Sequence, residues 1–174
     1  MANLEVNFAG LRFKNPVIAA SATPTKNEEF MRKCIDANCG GLVAKTPSWD
    51  ALERIYPCPR FYVFYPDAVR AGKLYSFYTN EQLAEYPPEE YAQELAKVLP
   101  YAKEKDCRVI ASIMGGNDEE WAKMAALFNP VCEALELNLA CPYGGELAGK
   151  KGCQVGADPD LVEAIVKIVR DNSD

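Results

Sequence analysis

The stretch that decides the fold is ALELNLACPYGGELAGKKGCQVGADP, residues 134–159. It begins as an apolar strand carrying Ala134, Leu135, Leu137 and Leu139. It then passes through a long polar segment with one Pro and several Gly, and reaches a helix start at Asp158-Pro159, an N-cap carboxylate followed by proline at the first helical position. A connection of this length between a strand and a helix is characteristic of functional loops. In parallel α/β architectures the loops that follow the carboxyl ends of strands carry the chemistry. This loop holds two cysteines, Cys141 and Cys153, and is the first candidate for a site.

Reading outward, the same strand-then-helix unit recurs. VIAAS (17–21) is a short apolar strand, and a helix follows over about 27–38 with Phe30, Cys34 and Ile35 on its inward face and Gly40-Gly41 just beyond it. LVAK (42–45) is a second strand ending on a lysine. Pro87-Pro88 opens a helix to about Lys105, with Tyr91, Leu95, Val98 and Leu99 at helical spacing. RVIASIM (108–114) is a third strand. Asn117 with Glu120 makes a capping-box-like start for a helix whose stripe is Trp121, Met124, Ala125 and Phe128. LELNL (135–139) is the fourth strand, and the helix after Asp158 turns Leu161, Ile165, Ile168 and Val169 inward. Before all of these, LEVNFAGLRF (4–13) alternates around Ala9-Gly10 as a short hairpin. Repeated βα units imply a parallel sheet with right-handed crossovers. Four units make half of an eightfold barrel, which needs about 250 residues. The expectation is therefore the N-terminal half of a (β/α)8 TIM barrel over residues 1–174, with a hairpin at 1–14 and an irregular excursion at 46–87. The excursion is rich in Pro and aromatics. It reads as an ordered segment with short strands over one end of the domain, and the alternative is that its rings fill a satellite core.

Composition narrows the function classes. The chain has 174 residues, 49% hydrophobic and 25% charged, with a formal net charge of -6. That is globular composition without the basic field that nucleic acid or an anionic membrane surface requires. No apolar run is long enough for a membrane span, and the N-terminus lacks the order of a signal peptide, so a cytoplasmic location is expected. The seven cysteines, at 34, 39, 58, 107, 132, 141 and 153, contain no CxxC pair, which leaves a disulfide framework, a zinc ribbon and an iron-sulfur run unsupported, and no metal site is expected. There is no histidine. Acid/base chemistry must fall to Cys, Lys, Tyr or carboxylates.

Five positions stand out. Lys45 ends the second strand, where it can hold negative charge on a cofactor, form a Schiff base or make a salt bridge. Ser21 ends the first strand, where its hydroxyl can meet a ligand or cap a turn. Strand alternation sends Glu136 and Asn138 to the face opposite Leu135, Leu137 and Leu139, toward a ligand or an internal hydrogen-bond network. Cys141 sits at the loop's base. A thiol, with an ordinary pKa near 8.5, can serve as acid or base, although free cysteines also serve as small core residues. Cys153 competes for that role, while Cys34, Cys107 and Cys132 have core contexts.

ASIM followed by an acidic helix start and Trp121, then LELNLACPYGG, the Gly-rich loop and DPDLV together resemble the flavin barrel domain of the dihydropyrimidine dehydrogenases and, more widely, the dihydroorotate dehydrogenases. NPVIAASATPT and LVAKTPS are similar to that family's first strand and lysine strand. The resemblance implies an FMN-dependent oxidoreductase moving hydride between flavin N5 and C6 of a dihydropyrimidine or dihydroorotate-like ring, with Cys141 as acid/base at C5. It implies that Ala20, Ser21, Lys45, Thr46 and Asn138 contact flavin, and that Asn80, Asn138 and Ala140 contact substrate. An iron-sulfur or NAD(P)H-linked electron partner would lie outside this segment, and a homo-oligomer or a partner subunit is implied. Three departures stand out. Ala140 occupies a serine's place. SFYTNEQLAEYP fits the family's FxNxExxS-like segment at Asn80 only with a one-residue shift; unshifted, Thr79 takes the asparagine's place. KKGCQ (150–154) differs from the usual loop. The alternatives kept open are a Lys45 Schiff-base lyase and a non-catalytic half barrel that acts through a partner.

Overall fold

The computed structural model describes residues 3–73, 76–141 and 152–174. It opens with the expected hairpin, β1 (Val6–Phe8) and β2 (Leu11–Phe13), with Phe8 opposite Leu11. Ala9 and Gly10 turn the chain with φ of 49° and 77°. Both central residues of the tightest hairpin turn need this positive φ. In order there follow β3 (Ile18–Ala19), α1 (Glu28–Asp36), β4 (Gly41–Ala44), β5 (Phe61–Phe64), α2 (Pro66–Arg70), β6 (Ser76–Thr79), α3 (Pro88–Glu104), β7 (Arg108–Ile113), α4 (Asp118–Phe128), β8 (Ala134–Leu137), α5 (Gly152–Gly156) and α6 (Pro159–Asp171).

β3, β4, β7 and β8 form one sheet in that order, all parallel. Each successive strand joins on the same side, so the order never reverses as it does in a doubly wound sheet. This is the winding of half a (β/α)8 barrel. One face of the sheet packs on the helices: Leu42, Ala44, Val109, Ala111 and Ile113 share a core with Met31 and Ile35 of α1, Tyr91 and Leu95 of α3, Trp121 and Phe128 of α4 and Ile165 of α6. The other face carries a smaller cluster in which the hairpin's Phe13 meets Val43 and Ile110, with Leu11, Ile18 and Ala134 against it. The hairpin therefore plugs the end of the sheet where the strands begin.

Helix starts follow their side-chain chemistry. The amide oxygens of Asn27 and Asn117 accept from the N–H groups of Phe30 and Glu120 at 3.0 and 2.9 Å, and Asp158 accepts from Asp160 and Leu161. Glu120 reaches back to the N–H of Gly116, one residue before the cap, rather than to Asn117 itself.

Three expectations change. β3 is two residues long, because Val17 leaves the ladder: its N–H donates to the Asn15 side chain and its carbonyl accepts from Gly40. The inward face of α1 is Met31 and Ile35, while Phe30 lies half-buried beneath the ammonium groups of Lys26 and Lys33. The excursion is an antiparallel ribbon of β5 and β6 with the short α2 between them, and Phe61, Tyr62, Phe64, Phe77 and Tyr78 are exposed. Those rings stack mainly on one another, Phe61 on Phe77 with centroids 5.3 Å apart, so the satellite-core reading does not hold for the ribbon.

Candidate functional site

Strand alternation builds the site. On β4, Val43 faces the hairpin plug, so Lys45, two residues on, faces the same way at the other end of the strand. On β7 the same step leads from Ile110 to Ser112, and on β8 from Ala134 through Glu136 to Asn138. The inner face is thus apolar where the strands begin and polar where they end. There a cavity of about 580 Å³ opens, lined by Ser21, Lys45, Thr46, Glu81, Gln82, Leu83, Ser112, Glu136, Leu137, Asn138, Leu139, Ala140 and Cys141. Its size lies within the roughly 300–1,000 Å³ of small-molecule sites.

The Lys45 side chain is only 4% exposed, and its ammonium donates to Glu81 at 2.6 Å. The other Glu81 oxygen accepts from Arg60 at 2.5 Å, and the Thr23 hydroxyl donates to Glu81 at 2.7 Å while accepting from Arg60 at 2.8 Å. Arg60 also lies over the Tyr56 ring. Burial pushes the Lys45 ammonium down, and Glu81 opposes that shift. Burial alone would raise the Glu81 carboxyl, but hydrogen bonds from Lys45, Thr23 and Arg60 outweigh it and hold the group at about 2. The backbone beneath is fixed by Tyr91, whose buried hydroxyl accepts from the Lys45 N–H at 2.8 Å and donates to the Thr25 carbonyl at 2.5 Å.

The depressed Glu81 carboxyl sets a pH dependence. Its contribution to stability is complete above its ordinary value of 4.5 and is lost as pH falls through about 2. Thermal melts of the protein and of Glu81→Gln from pH 6 to pH 2 should therefore differ most at the upper end and converge toward pH 2. A difference independent of pH would show that the carboxylate is not held this way.

A second network crosses the sheet. The hydroxyls of Thr46 and Ser112 lie 2.8 Å apart, and the Asn138 amide donates to Thr46 at 3.0 Å. The Asn138 oxygen accepts from the N–H groups of Ala140 and Cys141 at 3.3 and 3.1 Å, bending the chain as it leaves β8. This puts Cys141, 9% exposed, in the cavity wall. The Cys141 carbonyl accepts from the Cys153 N–H at 3.1 Å. Gly152 makes that closure possible: its φ is 51°, and a Cβ there would stand 2.1 Å from the Cys141 carbonyl oxygen.

Of the residues singled out from sequence, the cavity gathers Ser21, Lys45, Thr46, Asn138, Ala140 and Cys141. Cys153 is exposed and does not line it. Nor does Ala20, whose carbonyl accepts from Thr25. Asn80 also stands outside the lining, with its amide joined to Tyr78 and Gln82 on the ribbon side. Its neighbour Glu81 occupies the wall instead, as the unshifted register of the FxNxE-like segment would place it. Glu81, Arg60, Thr23 and Ser112 were not anticipated, and for Glu81 that register was the available signal. Pro142 and the Gly-rich segment to Lys151 lie outside the described residues. Among the described residues no cluster of His, Cys, Asp or Glu could hold a metal ion, and no helix is long and apolar enough to cross a membrane.

The family model for dihydroorotate dehydrogenase matches residues 3–174. This chain belongs to the dihydroorotate dehydrogenase family. It is 34% identical to the dihydroorotate dehydrogenase B (NAD(+)) catalytic subunit of Pyrococcus abyssi, over 98% of this chain and 51% of that protein. It is 31% identical to the NAD-dependent dihydropyrimidine dehydrogenase subunit PreA of Escherichia coli K12, over 98% of this chain and 40% of that protein. With the Caldicellulosiruptor bescii catalytic subunit the identity is 32%, over 97% and 51%. The dihydroorotate dehydrogenase family chain described here thus spans about half the length of the curated relatives it matches or less. Its four-stranded parallel sheet is part of the barrel expected of that family.

Proposed function

We propose that residues 1–174 supply the N-terminal half of the barrel of an FMN-dependent oxidoreductase acting on a dihydropyrimidine or dihydroorotate-like ring. The observation that carries this reading is the cavity itself, in which the buried Lys45 ammonium and the Cys141 thiol line one space at the carboxyl ends of parallel strands. Its lining suits a nitrogen- and oxygen-rich aromatic group: a buried cation for negative charge, the hydroxyls of Ser21, Thr46 and Ser112, and the Asn138 amide. When bound, FMN supplies hydride transfer between its N5 and C6 of the substrate ring. Lys45 and Thr46 would lie beside the flavin ring, Ser21 would line it, and Asn138 would hydrogen-bond ligand while it holds the start of the loop. Cys141 moves the proton at C5, a task for which its thiol is the fitting group in a histidine-free half.

We place the next strand of the barrel at the edge of β8 that no described strand pairs with. A groove of about 280 Å³ runs beside it, lined in part by Ala134, Leu135, Val166, Val169 and Asp174. The family resemblance implies that the phosphate of FMN sits with loops of the second half of the barrel. The electron partner, an iron-sulfur or NAD(P)H-linked subunit, and the oligomer interface lie with the whole protein, for which we propose the cytoplasm. The 174-residue chain should therefore bind FMN poorly, whereas the complete barrel should be yellow and should bleach on anaerobic addition of dihydrouracil or dihydroorotate. Stoichiometric flavin on the isolated chain after gel filtration would contradict the division of the site. A colourless complete protein would contradict the flavin reading itself.

A further inference from the structure

We propose that Cys39 and Cys107 form a redox-active dithiol, a site at the closed end of the sheet that a small disulfide oxidises to an intramolecular bond. The sulfurs lie 3.6 Å apart, with Cys39 6% exposed and Cys107 fully buried. They occupy equivalent places in successive βα units. Each follows a residue of left-handed φ that ends a helix, Asn38 at 67° after α1 and Asp106 at 52° after α3, and each leads into a strand. The pairing of Gly41 with Arg108 holds those strands side by side and sets Cys107 across from Gly40, one residue from Cys39. A strand spacing of ~4.8 Å and a one-residue offset of ~3.3 Å put the two Cα atoms ~6 Å apart. Disulfides span Cα separations of roughly 4.4–6.8 Å.

The two thiols are unequal. A hydrogen bond from Cys107 brings the Cys39 thiol down, helped by the charge of Lys14, while the same bond and burial push Cys107 up. Cys39 is also the sulfur with access to solvent, 6% exposed where Cys107 is fully buried, and it is therefore the one that meets an external disulfide first. Its thiolate attacks one sulfur of the oxidant disulfide, forming a mixed disulfide and expelling a thiolate that takes up a proton. Cys107 then loses its proton and attacks the Cys39 sulfur, releasing the second thiol. Two protein thiols give up two electrons and two protons, and one disulfide is reduced to two thiols. Closure draws the sulfurs from 3.6 Å to a bond of ~2.05 Å, with the Cα separation already in the disulfide range. It staples the turns before β4 and β7, leaving Cys141 untouched at the other end of the strands.

The test is to incubate the chain in mixtures of reduced and oxidised glutathione, quench with acid, alkylate and map peptides by mass spectrometry. The expected product links the Cys39 and Cys107 peptides with the loss of two masses of hydrogen, reverts with dithiothreitol and melts several degrees higher than the reduced chain. In Cys107→Ala, one glutathione should remain on Cys39; in Cys39→Ser, Cys107 should stay unmodified. The wild-type map decides alone if a variant fails to fold. Alkylation of both cysteines while Cys58 or Cys153 carries glutathione would overturn the proposal, as would a stable glutathione adduct on wild-type Cys39 that never closes.

Discussion

Replacing Cys141 by Ser in the complete barrel should slow reduction of the flavin by substrate ~10²- to 10⁴-fold, the usual contribution of a positioned acid or base. A serine hydroxyl keeps the shape and a hydrogen-bond donor but does not ionise near neutral pH, so the proton proposed to move at C5 would lose its carrier. Flavin should stay bound, because the backbone of Cys141, which the substitution keeps, organises the wall: its N–H donates to Asn138 and its carbonyl accepts from Cys153. Rapid mixing under anaerobic conditions separates the two effects, with flavin content read before substrate is added and the bleaching rate after. An unchanged rate would remove cysteine chemistry from this cavity. Loss of flavin in the variant would instead assign Cys141 a structural part in the wall.

How far the sequence carries this site depends on the range of the forces that place each residue. The placement of Lys45, Asn138 and Cys141 in the cavity wall could be read because strand alternation and a strand's end are local properties, and the cavity lies where those properties converge. The helices could be read from their caps and stripes, and Asp158-Pro159 starts α6 as expected. What could not be read depends on long-range pairing. The Arg60 contact with Glu81 joins the excursion to the wall across 21 residues, and Thr23 reaches Glu81 across 58. No periodicity marks such a contact in advance. The exposed aromatic ribbon misled for a related reason: rings are the best core formers by area, yet this ribbon is set on the rim of the sheet, where the chain offers little to bury them. The two-residue β3 was also illegible, because an apolar run does not reveal that the Asn15 side chain takes the Val17 N–H.

The scaffold's largest single dependence is on Trp121, and Trp121→Ala should cost about 3–5 kcal/mol. Among the fully buried side chains it is the largest, and it joins α4 to the core shared with β7, α3 and Cys141. Its surroundings leave little room to collapse into the space an alanine would create. At Gly115, in the turn that leaves β7, an added Cβ would come within 2.5 Å of the Trp121 N–H nitrogen and 2.9 Å of its ring, so that turn is already in contact with the helix start. A loss of that size is a large part of the ~5–15 kcal/mol that holds a domain folded, and it should lower the melting temperature by roughly 10 °C. Trp121→Phe retains most of the buried ring and should recover more than half of the loss. Urea unfolding checks the cause: a lower midpoint at constant slope places the damage in native packing, whereas a changed slope places it in the compactness of either state. Because Ser112 stands three residues before Gly115 on the same strand end, loosening α4 also frees the wall of the cavity. Ligand affinity should therefore fall in Trp121→Ala even below its melting range, and unchanged affinity would show that the mouth is held by the Thr46–Asn138 network without help from α4.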